Sequence, residues 1–324
     1  MIIKIIKKIQ QNGFRKTVQL IYERIMQNIL VKFNFVDNKT NYIRNECSNY
    51  WKAYNYLKRR YKKKILKMDK KNGTGEFSNK VWWCWLQGEE NCPPLQKACL
   101  KSLRENLTDR EIIVINKDNL YKYIDLPDYI KKKYEENIIS NTHFSDLVRL
   151  QLLIKYGGTW IDSTAYCTGY PPELFDKPLF VFKNLNSIWY ANKNKFDMEP
   201  IVADNWFITS EIENPILIMV RDLLFDYWKK HDYLLDYFIF HYFFSIVVKY
   251  KYNEEFDKIG LKSHLIPHLL QYECYKKYNE ERAREIFKQS DFHKLTHKID
   301  FENIDEDSYY NMIIGDKINN DRRR

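Results

Sequence analysis

The sequence predicts an α/β fold in which a mainly parallel sheet is flanked by helices. Short apolar runs, such as VWWCWL at 81–86 and EIIVIN at 111–116, alternate with segments of helical periodicity, a succession typical of parallel sheets. An apolar helical pattern at 142–156 ends at Gly157-Gly158 and leads directly into the apolar run 159–161. The chain has 324 residues, of which 44% are hydrophobic, so it is long enough for one large core.

Residues 1–75 are expected to form a basic helical extension. Residues 1–70 contain 18 Lys or Arg against 4 Asp or Glu, while the whole chain carries +10, so the remainder is net acidic. Isoleucines alternate with lysines near the start, and an amphipathic helix within residues 1–35 would suit an anionic membrane surface. An equally good alternative is a helix that packs on its own domain.

Other sequence features narrow the class of protein. There is no apolar run of spanning length and no signal peptide with a cleavage site, so a cytoplasmic protein is expected. The six cysteines lack paired spacing and are interpreted as reduced thiols. The basic run at 58–64 has no recognised nucleic-acid-binding module around it, so nucleic acid is not an expected partner.

The body, residues 76–300, follows a polar link at 71–78 and reads as alternating strands and helices. Strands are expected at 81–86, 111–116, 178–183 and 206–210, and a helix at 94–107. Asn214 is expected to cap a helix that begins at Pro215 and ends near residue 228. Residues 233–250 are too apolar to face solvent on most sides, and residues 301–324 are expected to form a loosely held, charged tail.

The most informative stretch is THFSDLVRLQLLIKYGGTWIDST, residues 142–164. Thr142 is the expected N-cap of its helix, and Asp146 and Arg149, three positions apart, should share one helix face. Asp162 should stand at the carboxyl end of the following strand, the place where open α/β sheets bind ligands. The alternative is structural: an internal ion pair and an unrelated carboxylate.

The run SDLVRLQLLIKYGGTWID resembles the core signature of sugar-nucleotide-dependent glycosyltransferases with a DxD-type motif, in particular capsular polysaccharide synthesis proteins of glycosyltransferase family 32. The segments WCWLQGEENCPP, LPDYI, DNWFI, DYFIFHYFF and KLTHK are also similar, so the resemblance extends from about Lys80 to Lys298. It implies a GT-A-type domain at 76–300. It also implies sugar transfer from a nucleotide sugar, expected to be a UDP-sugar, to a growing capsular or cell-surface polysaccharide, with retention of configuration.

The resemblance also implies a donor site. Trp85 matches a tryptophan that stacks on the nucleobase, and a planar base offers a large apolar face for such a contact. Asp146 and Arg149 would hold hydroxyls of the donor sugar, and the guanidinium suits bidentate contacts with the phosphates. Lys294, in the C-terminal KLTHK segment, would reach the diphosphate.

A divalent metal ion, Mn or Mg, is implied as the cofactor, because no glycine-rich phosphate loop is present in the sequence. Its expected ligands are Asp162, Thr164 and His297. The wider family has Asp-x-Asp at the motif, whereas this chain has Asp162-Ser163-Thr164. Asp162 would therefore bind the ion directly or through water, or would instead bind ribose or sugar.

Catalytic and acceptor-site roles are implied for Asn205, Asp236 and His241. A lone histidine in an apolar helix is more often a hydrogen-bonded core residue than a catalyst, and this reading stays open. The acceptor would be a glycan, either free or lipid-linked, and a lipid-linked acceptor would give the cationic N-terminus a peripheral contact with the inner face of the membrane. Two rival functions stay open: a nucleotide-sugar hydrolase, and a non-catalytic glycan- or membrane-binding protein of the same fold.

Overall fold

The computed structural model describes residue 18 and the ranges 38–184, 200–298 and 304–318, with only the backbone described at 38–48. The amphipathic helix expected within residues 1–35 and the end of the charged tail lie outside these ranges. In the described ranges no helix is both long and apolar enough to cross a bilayer. Cysteines 84, 92, 99, 167 and 274 are all free thiols.

A five-stranded sheet forms the centre of the fold, with strand order β2-β1-β3-β6-β5. Strand β1 is parallel to both β2 and β3, whereas β6 is antiparallel to β3 and to β5. Four strands therefore point the same way, as the sequence predicts, and β6 alone is reversed. The bounds are β1 Lys80–Cys84, β2 Glu111–Ile115, β3 Gly158–Ile161, β5 Leu179–Lys183 and β6 Ala203–Ser210.

A separate antiparallel pair joins β4, Ala165–Cys167, to β7, Phe292–Lys294. Helices surround both sheets. Their bounds are α1 Asn38–Lys67, α2 Pro94–Asn106, α3 Leu120–Tyr123, α4 Asp128–Glu135, α5 Asn141–Tyr156, α6 Pro215–Lys230, α7 Ile239–Tyr250, α8 Asn253–Lys258, α9 Leu269–Glu273, α10 Glu280–Gln289 and α11 Tyr309–Ile314.

Helix α5 leads the chain into β3 and so fixes the centre of the fold. Its N-cap is Ser140, whose side chain accepts a hydrogen bond from the backbone N–H of His143. The prediction of Thr142 as the cap is wrong, because Ser140 is extended and its hydroxyl reaches the first turn, which places Thr142 inside the helix. Gly157 then ends the helix at φ 62°, and Gly158 opens β3 at φ 86°.

Helix α1 packs into the same core as the sheet. Tyr54, Leu57 and Ile65 are fully buried there. The Tyr61 ring meets Phe243 of α7 edge-on, with centroids 5.0 Å apart. The described part of the expected N-terminal extension therefore contributes to the main core, while the domain boundary near residue 75 stays a prediction.

The C-terminal segment 304–318 is packed, although a loosely held tail was expected. Tyr309, Tyr310 and Ile313 are buried in a second apolar cluster with Leu95 and Cys99 of α2. The prediction of a loose tail missed a short apolar helix, α11, because acidic residues lie around it in the sequence. The packing brings the end of the described chain next to the sheet.

The backbone at Gly158 gives a test of this fold. A Cβ at that position would lie 2.3 Å from the carbonyl oxygen of Lys80, and the φ of +86° is unfavourable for any other residue. Gly158→Ala should therefore lower the free energy of unfolding by more than about 2 kcal/mol, since strained backbone alone costs about 1–3 kcal/mol. Urea denaturation measures the change.

Gly260 provides the matched control, because a Cβ there would meet nothing within 4 Å. Gly260→Ala should change the free energy of unfolding by no more than about 0.5 kcal/mol. Equal effects of the two substitutions would contradict the tight junction between β1 and β3.

Candidate functional site

A cavity of about 570 Å³ opens at the carboxyl ends of β1 and β3. A volume of this size is in the usual range for small-molecule sites. The predicted residues in its wall come from four separate parts of the chain. They are Trp85, Arg149, Asp162, Thr164, Lys294 and His297.

The sheet and the small β4–β7 pair position these side chains. Trp85 directly follows β1, and its backbone N–H donates to the carbonyl oxygen of Ile115 at 3.0 Å. Asp162 directly follows β3 and is held by a hydrogen bond from its N–H to the carbonyl of Trp206 at 2.8 Å. Lys294 is the last residue of β7 and lies opposite Ala165 in β4. Backbone pairing therefore sets the place of each group.

Arg149 is the hub of a buried polar network. Its Nη2 donates to Asp162 Oδ1 at 3.2 Å and lies 3.5 Å from Asp146 Oδ1. Its Nη1 donates to the carbonyl oxygen of Asn205, whose side-chain amide in turn donates to Asp146 Oδ1 at 2.9 Å. The predicted shared face of Asp146 and Arg149 is confirmed, and Asn205 joins them because β6 begins at the same edge of the sheet.

Asp146 stands behind the cavity wall rather than in it. Only 8% of its side chain is exposed, compared with 25% for Asp162. Burial raises the pKa of Asp146 above its usual value, and the charge of Arg149 offsets this only in part. Its contacts suit a residue that orients Arg149 and Asn205.

Asp162 is held by cations on both carboxylate oxygens. Oδ1 accepts from Arg149 and from the indole N–H of Trp160 at 2.9 Å, and Oδ2 lies 3.3 Å from the Lys294 ammonium. Burial opposes ionisation, but Lys294, Arg149 and the Trp160 hydrogen bond outweigh it and hold the pKa of Asp162 below its usual value. Asp162 is therefore a stable carboxylate.

Two buried nitrogens of the site have no hydrogen-bond partner within the described ranges. They are Nε of Arg149 and Nε1 of Trp85. Buried donors are normally satisfied, so unpaired ones beside a cavity suit a polar ligand. The guanidinium carbon of Arg149 also lies 4.9 Å from the centre of the Trp160 ring, which fixes its plane.

Asp236 does not join this network. Its Oδ1 accepts from the backbone N–H of Phe238 at 2.9 Å and from the hydroxyl of Tyr242 at 2.8 Å, so it fixes the start of α7. His241 lies closer, packed edge-on against Phe238 and Phe240. Its Nδ1 is buried with no partner among the residues described. Burial lowers the pKa of His241 to about 4, so the ring is neutral near neutral pH.

The expected metal ligands do not fit a divalent ion in this arrangement. Mg²⁺ and Mn²⁺ prefer several oxygen ligands with carboxylates among them. Here Asp162 is already paired with two cations, and the Thr164 hydroxyl accepts from Lys294. The described residues hold no group of three or more His, Cys, Asp or Glu side chains with metal-binding geometry. The metal ion stays a prediction, and the donor set argues for another cation.

The sequence reasoning missed several residues at the site. Trp160 contacts both Arg149 and Asp162. It lies inside the central motif, two residues before Asp162, and an aromatic residue at that position was the available signal. Tyr237 and Tyr310 also line the cavity. Nothing in the sequence around Tyr310 indicates this, because its place depends on the packing of α11.

Asp204 is a further acid at this edge of the sheet. Its Oδ2 accepts from the Trp206 indole at 3.0 Å and lies 3.6 Å from His264 Nδ1. Burial opposes its ionisation, but His264, His241 and His268 together hold the pKa of Asp204 below its usual value. The Asp204 carboxylate therefore lies beside His264 at this edge of the sheet.

A larger cavity, about 810 Å³, is lined by residues at the amino ends of β5 and α6. Its buried acid, Glu211, accepts from the N–H of Gly75 at 2.8 Å and from the Asn214 amide at 3.3 Å. These bonds fix the link that leads into the sheet. The wall of this cavity contains charged residues of its own but none of the predicted site residues.

The low pKa of His241 predicts a dependence of stability on pH. The folded value of about 4 lies below the ordinary 6.5, so the unfolded chain takes up the proton first as pH falls. This stability is complete above about pH 6.5 and is lost progressively toward about pH 4. His241→Leu cannot titrate. We compare the free energy of unfolding of this variant with that of the natural chain. From about pH 7 to about pH 5 the difference should shift in favour of the variant by about 2 kcal/mol.

Urea denaturation of both proteins at several pH values measures this difference, and the pH-independent cost of the substitution cancels. Parallel stability curves for the two proteins would contradict a buried, neutral His241.

Comparison with known proteins gives one broad match. A family model described as "Capsular polysaccharide synthesis protein" matches residues 31–313. The sequence matches no curated protein. Among solved structures, a chain described as "PaToxG Glycosyltransferase" is similar at 15% identity and a TM-score of 0.36, covering 62% of this chain and 77% of that one.

Proposed function

Because the chain belongs to the family of capsular polysaccharide synthesis proteins, we propose that it is a glycosyltransferase that moves a sugar from a nucleotide-sugar donor to a capsular or cell-surface glycan. The observation that carries the proposal is the convergence of Trp85, Arg149, Asp162 and Lys294 on one cavity at the carboxyl edge of the sheet. An aromatic ring, a carboxylate and two cations match the parts of a nucleoside diphosphate sugar.

Each part of the donor is matched to the wall residue whose chemistry suits it. The base stacks on Trp85, whose ring lines the cavity. The diphosphate lies near Arg149 and Lys294, because charge-assisted hydrogen bonds to phosphate are the strongest contacts available there. Asp162 keeps both cations in position and offers its exposed edge to a sugar or ribose hydroxyl.

The acceptor hydroxyl supplies the nucleophile for the transfer, so the protein mainly has to stabilise the departing diphosphate. Preorganised cations at the point where charge develops lower the barrier, since they do not have to reorient during the reaction. Asp146 and Asn205 act as positioning residues through Arg149. The sequence resemblance assigns His241 to the acceptor side, and its ring is neutral near neutral pH.

The finer points of the function remain proposals. A GT-A-type fold, a UDP-sugar donor and retention of configuration rest on the sequence resemblance. A glycan acceptor also rests on the resemblance. Its lipid-linked form and the contact of residues 1–35 with an anionic membrane rest on the basic N-terminal sequence. A cytoplasmic location rests on the unpaired spacing of the cysteines, and a peripheral position on the membrane rests on the basic N-terminal sequence.

A panel of nucleotide sugars tests the proposal directly. The purified protein is incubated with each donor, with and without a glycan acceptor and a lipid-linked acceptor, and released nucleotide and elongated glycan are measured. Arg149→Lys should lower kcat/KM by about 100-fold, because one ammonium cannot bind both Asp162 and the Asn205 carbonyl. Arg282→Lys, at an exposed surface ion pair, should leave the rate unchanged.

The outcomes separate the rival functions. Nucleotide release that requires an acceptor supports transfer. Release without any acceptor would indicate a hydrolase, and the absence of both binding and release across the panel would indicate a non-catalytic protein.

Trp85 gives an independent test of donor placement. Trp85→Ala should weaken binding of the nucleoside diphosphate by about 10-fold, since stacking on an aromatic side chain is worth about 1–3 kcal/mol per base. Trp85→Phe retains an aromatic face and should lose much less. Calorimetric titration measures both, and identical losses for the two variants would remove the stacking contact from the proposal.

A further inference from the structure

We propose that Lys294 takes the place of the divalent cation, so that this chain binds and activates its donor diphosphate without a metal ion. The inference rests on the proposed function, since it concerns how the same cavity compensates the charge of a nucleotide-sugar diphosphate. It starts from one juxtaposition: the Lys294 ammonium lies between the Asp162 carboxylate and the Thr164 hydroxyl.

The position of the ammonium is fixed by the backbone on both sides. Lys294 pairs with Ala165 in the β4–β7 ladder, and the next N–H, of Leu295, donates to the carbonyl oxygen of Thr164 at 2.8 Å. The side chain then reaches back to the Asp162-Ser163-Thr164 segment, within 3.3 Å of Asp162 Oδ2. A lysine anchored in this way presents its charge at a defined point in the cavity wall.

The local charges balance without a metal. One carboxylate, Asp162, faces one ammonium, Lys294, and Thr164 contributes a neutral oxygen where a second carboxylate would otherwise add a charge of −1. A divalent ion at this point would stand beside the ammonium and close to the Arg149 guanidinium. Asp162 is the one carboxylate among the described residues of the wall, because Asp146 lies behind it and pairs with Arg149. Like charges at such distances repel strongly in a partly buried site.

The accessible surface of Lys294 leaves room for the ligand. About 20% of its side chain is exposed, and it lines the cavity together with Arg149 and Trp85. An ammonium has three donor hydrogens. Two are directed to Asp162 and Thr164, and the third is available for a phosphate oxygen.

The reaction balances with Lys294 protonated throughout. The bond between the anomeric carbon and the diphosphate oxygen breaks, and its electron pair stays on the diphosphate. The acceptor hydroxyl oxygen forms the new bond to the anomeric carbon, and its proton passes to a diphosphate oxygen. Lys294 and Arg149 stabilise the negative charge that develops on that leaving group.

Calorimetric titration with UDP as the probe provides the test, because binding can be measured apart from turnover. The natural chain should bind UDP with the same affinity in EDTA and in Mn²⁺. Lys294→Met should lose about 10- to 100-fold in affinity, the size expected for one charge-assisted hydrogen bond to phosphate. Lys294→Arg should recover part of it.

A swap of the two positions makes the test reciprocal. Thr164→Asp combined with Lys294→Ala removes the ammonium and supplies a second carboxylate, so UDP binding by this double variant should become dependent on Mn²⁺. Lys80→Met, which breaks an exposed ion pair with Glu111 at the opposite end of β1, should leave UDP affinity unchanged. Thermal unfolding by circular dichroism shows that each variant is folded.

Two results overturn the inference in distinguishable ways. UDP binding by the natural chain that disappears in EDTA and returns with Mn²⁺ would refute the metal-free site while supporting a nucleotide-sugar enzyme. Failure of UDP and of the other nucleoside diphosphates to bind under either condition would refute the proposed function, and this inference with it.

Discussion

The structure of the site depends on one carboxylate that is shared by two cations from distant parts of the chain. Asp162 stands at the end of β3, Arg149 comes from the preceding helix, and Lys294 comes from a strand near the other end of the fold. A buried ion stays charged only where partners compensate for its lost hydration. Each member of this group therefore requires the other two, and the sheet edge, helix α5 and strand β7 are held in one arrangement.

The second acid, Asp146, follows from the same requirement. Arg149 is 4% exposed and carries a full charge, so one carboxylate that it shares with Lys294 would leave it under-compensated. Asp146 and the carbonyl oxygen of Asn205 supply the remaining acceptors, and the Trp160 ring covers the face of the guanidinium. The hydrogen bonds of both Nη atoms and the contact with the Trp160 ring hold the guanidinium in one orientation at the cavity wall.

The parts of the site that the sequence could predict are those set by local geometry. Helical spacing places Asp146 beside Arg149, and a strand that follows Gly157-Gly158 must end at Asp162. Residues brought in by pairing between remote segments carry no such signal: the β4–β7 ladder sets Lys294 beside Thr164, and α11 brings Tyr310 to the wall. The resemblance implied that Lys294 is a donor contact, whereas its pairing with Asp162 could be seen only in the folded structure. The choice of Ser140 over Thr142 as cap was decided by backbone conformation, which a sequence with two hydroxyl residues two positions apart leaves open.

Strand β7 brings Lys294 to the site from a segment that is remote in the chain. Strand β7 is only three residues long and contacts both apolar clusters. Phe292 is buried in the main core, with its ring centroid 4.8 Å from that of Phe207 in β6, while Leu295 packs in the second cluster with α2 and α11. Lys294 is therefore held in place from both sides, by the main core that also holds Arg149 and by the second cluster. Folding of the sheet and α5 alone would leave Asp162 paired with one guanidinium. The full charge balance at the cavity is reached only when the C-terminal segment docks, so this segment completes the site instead of merely covering it.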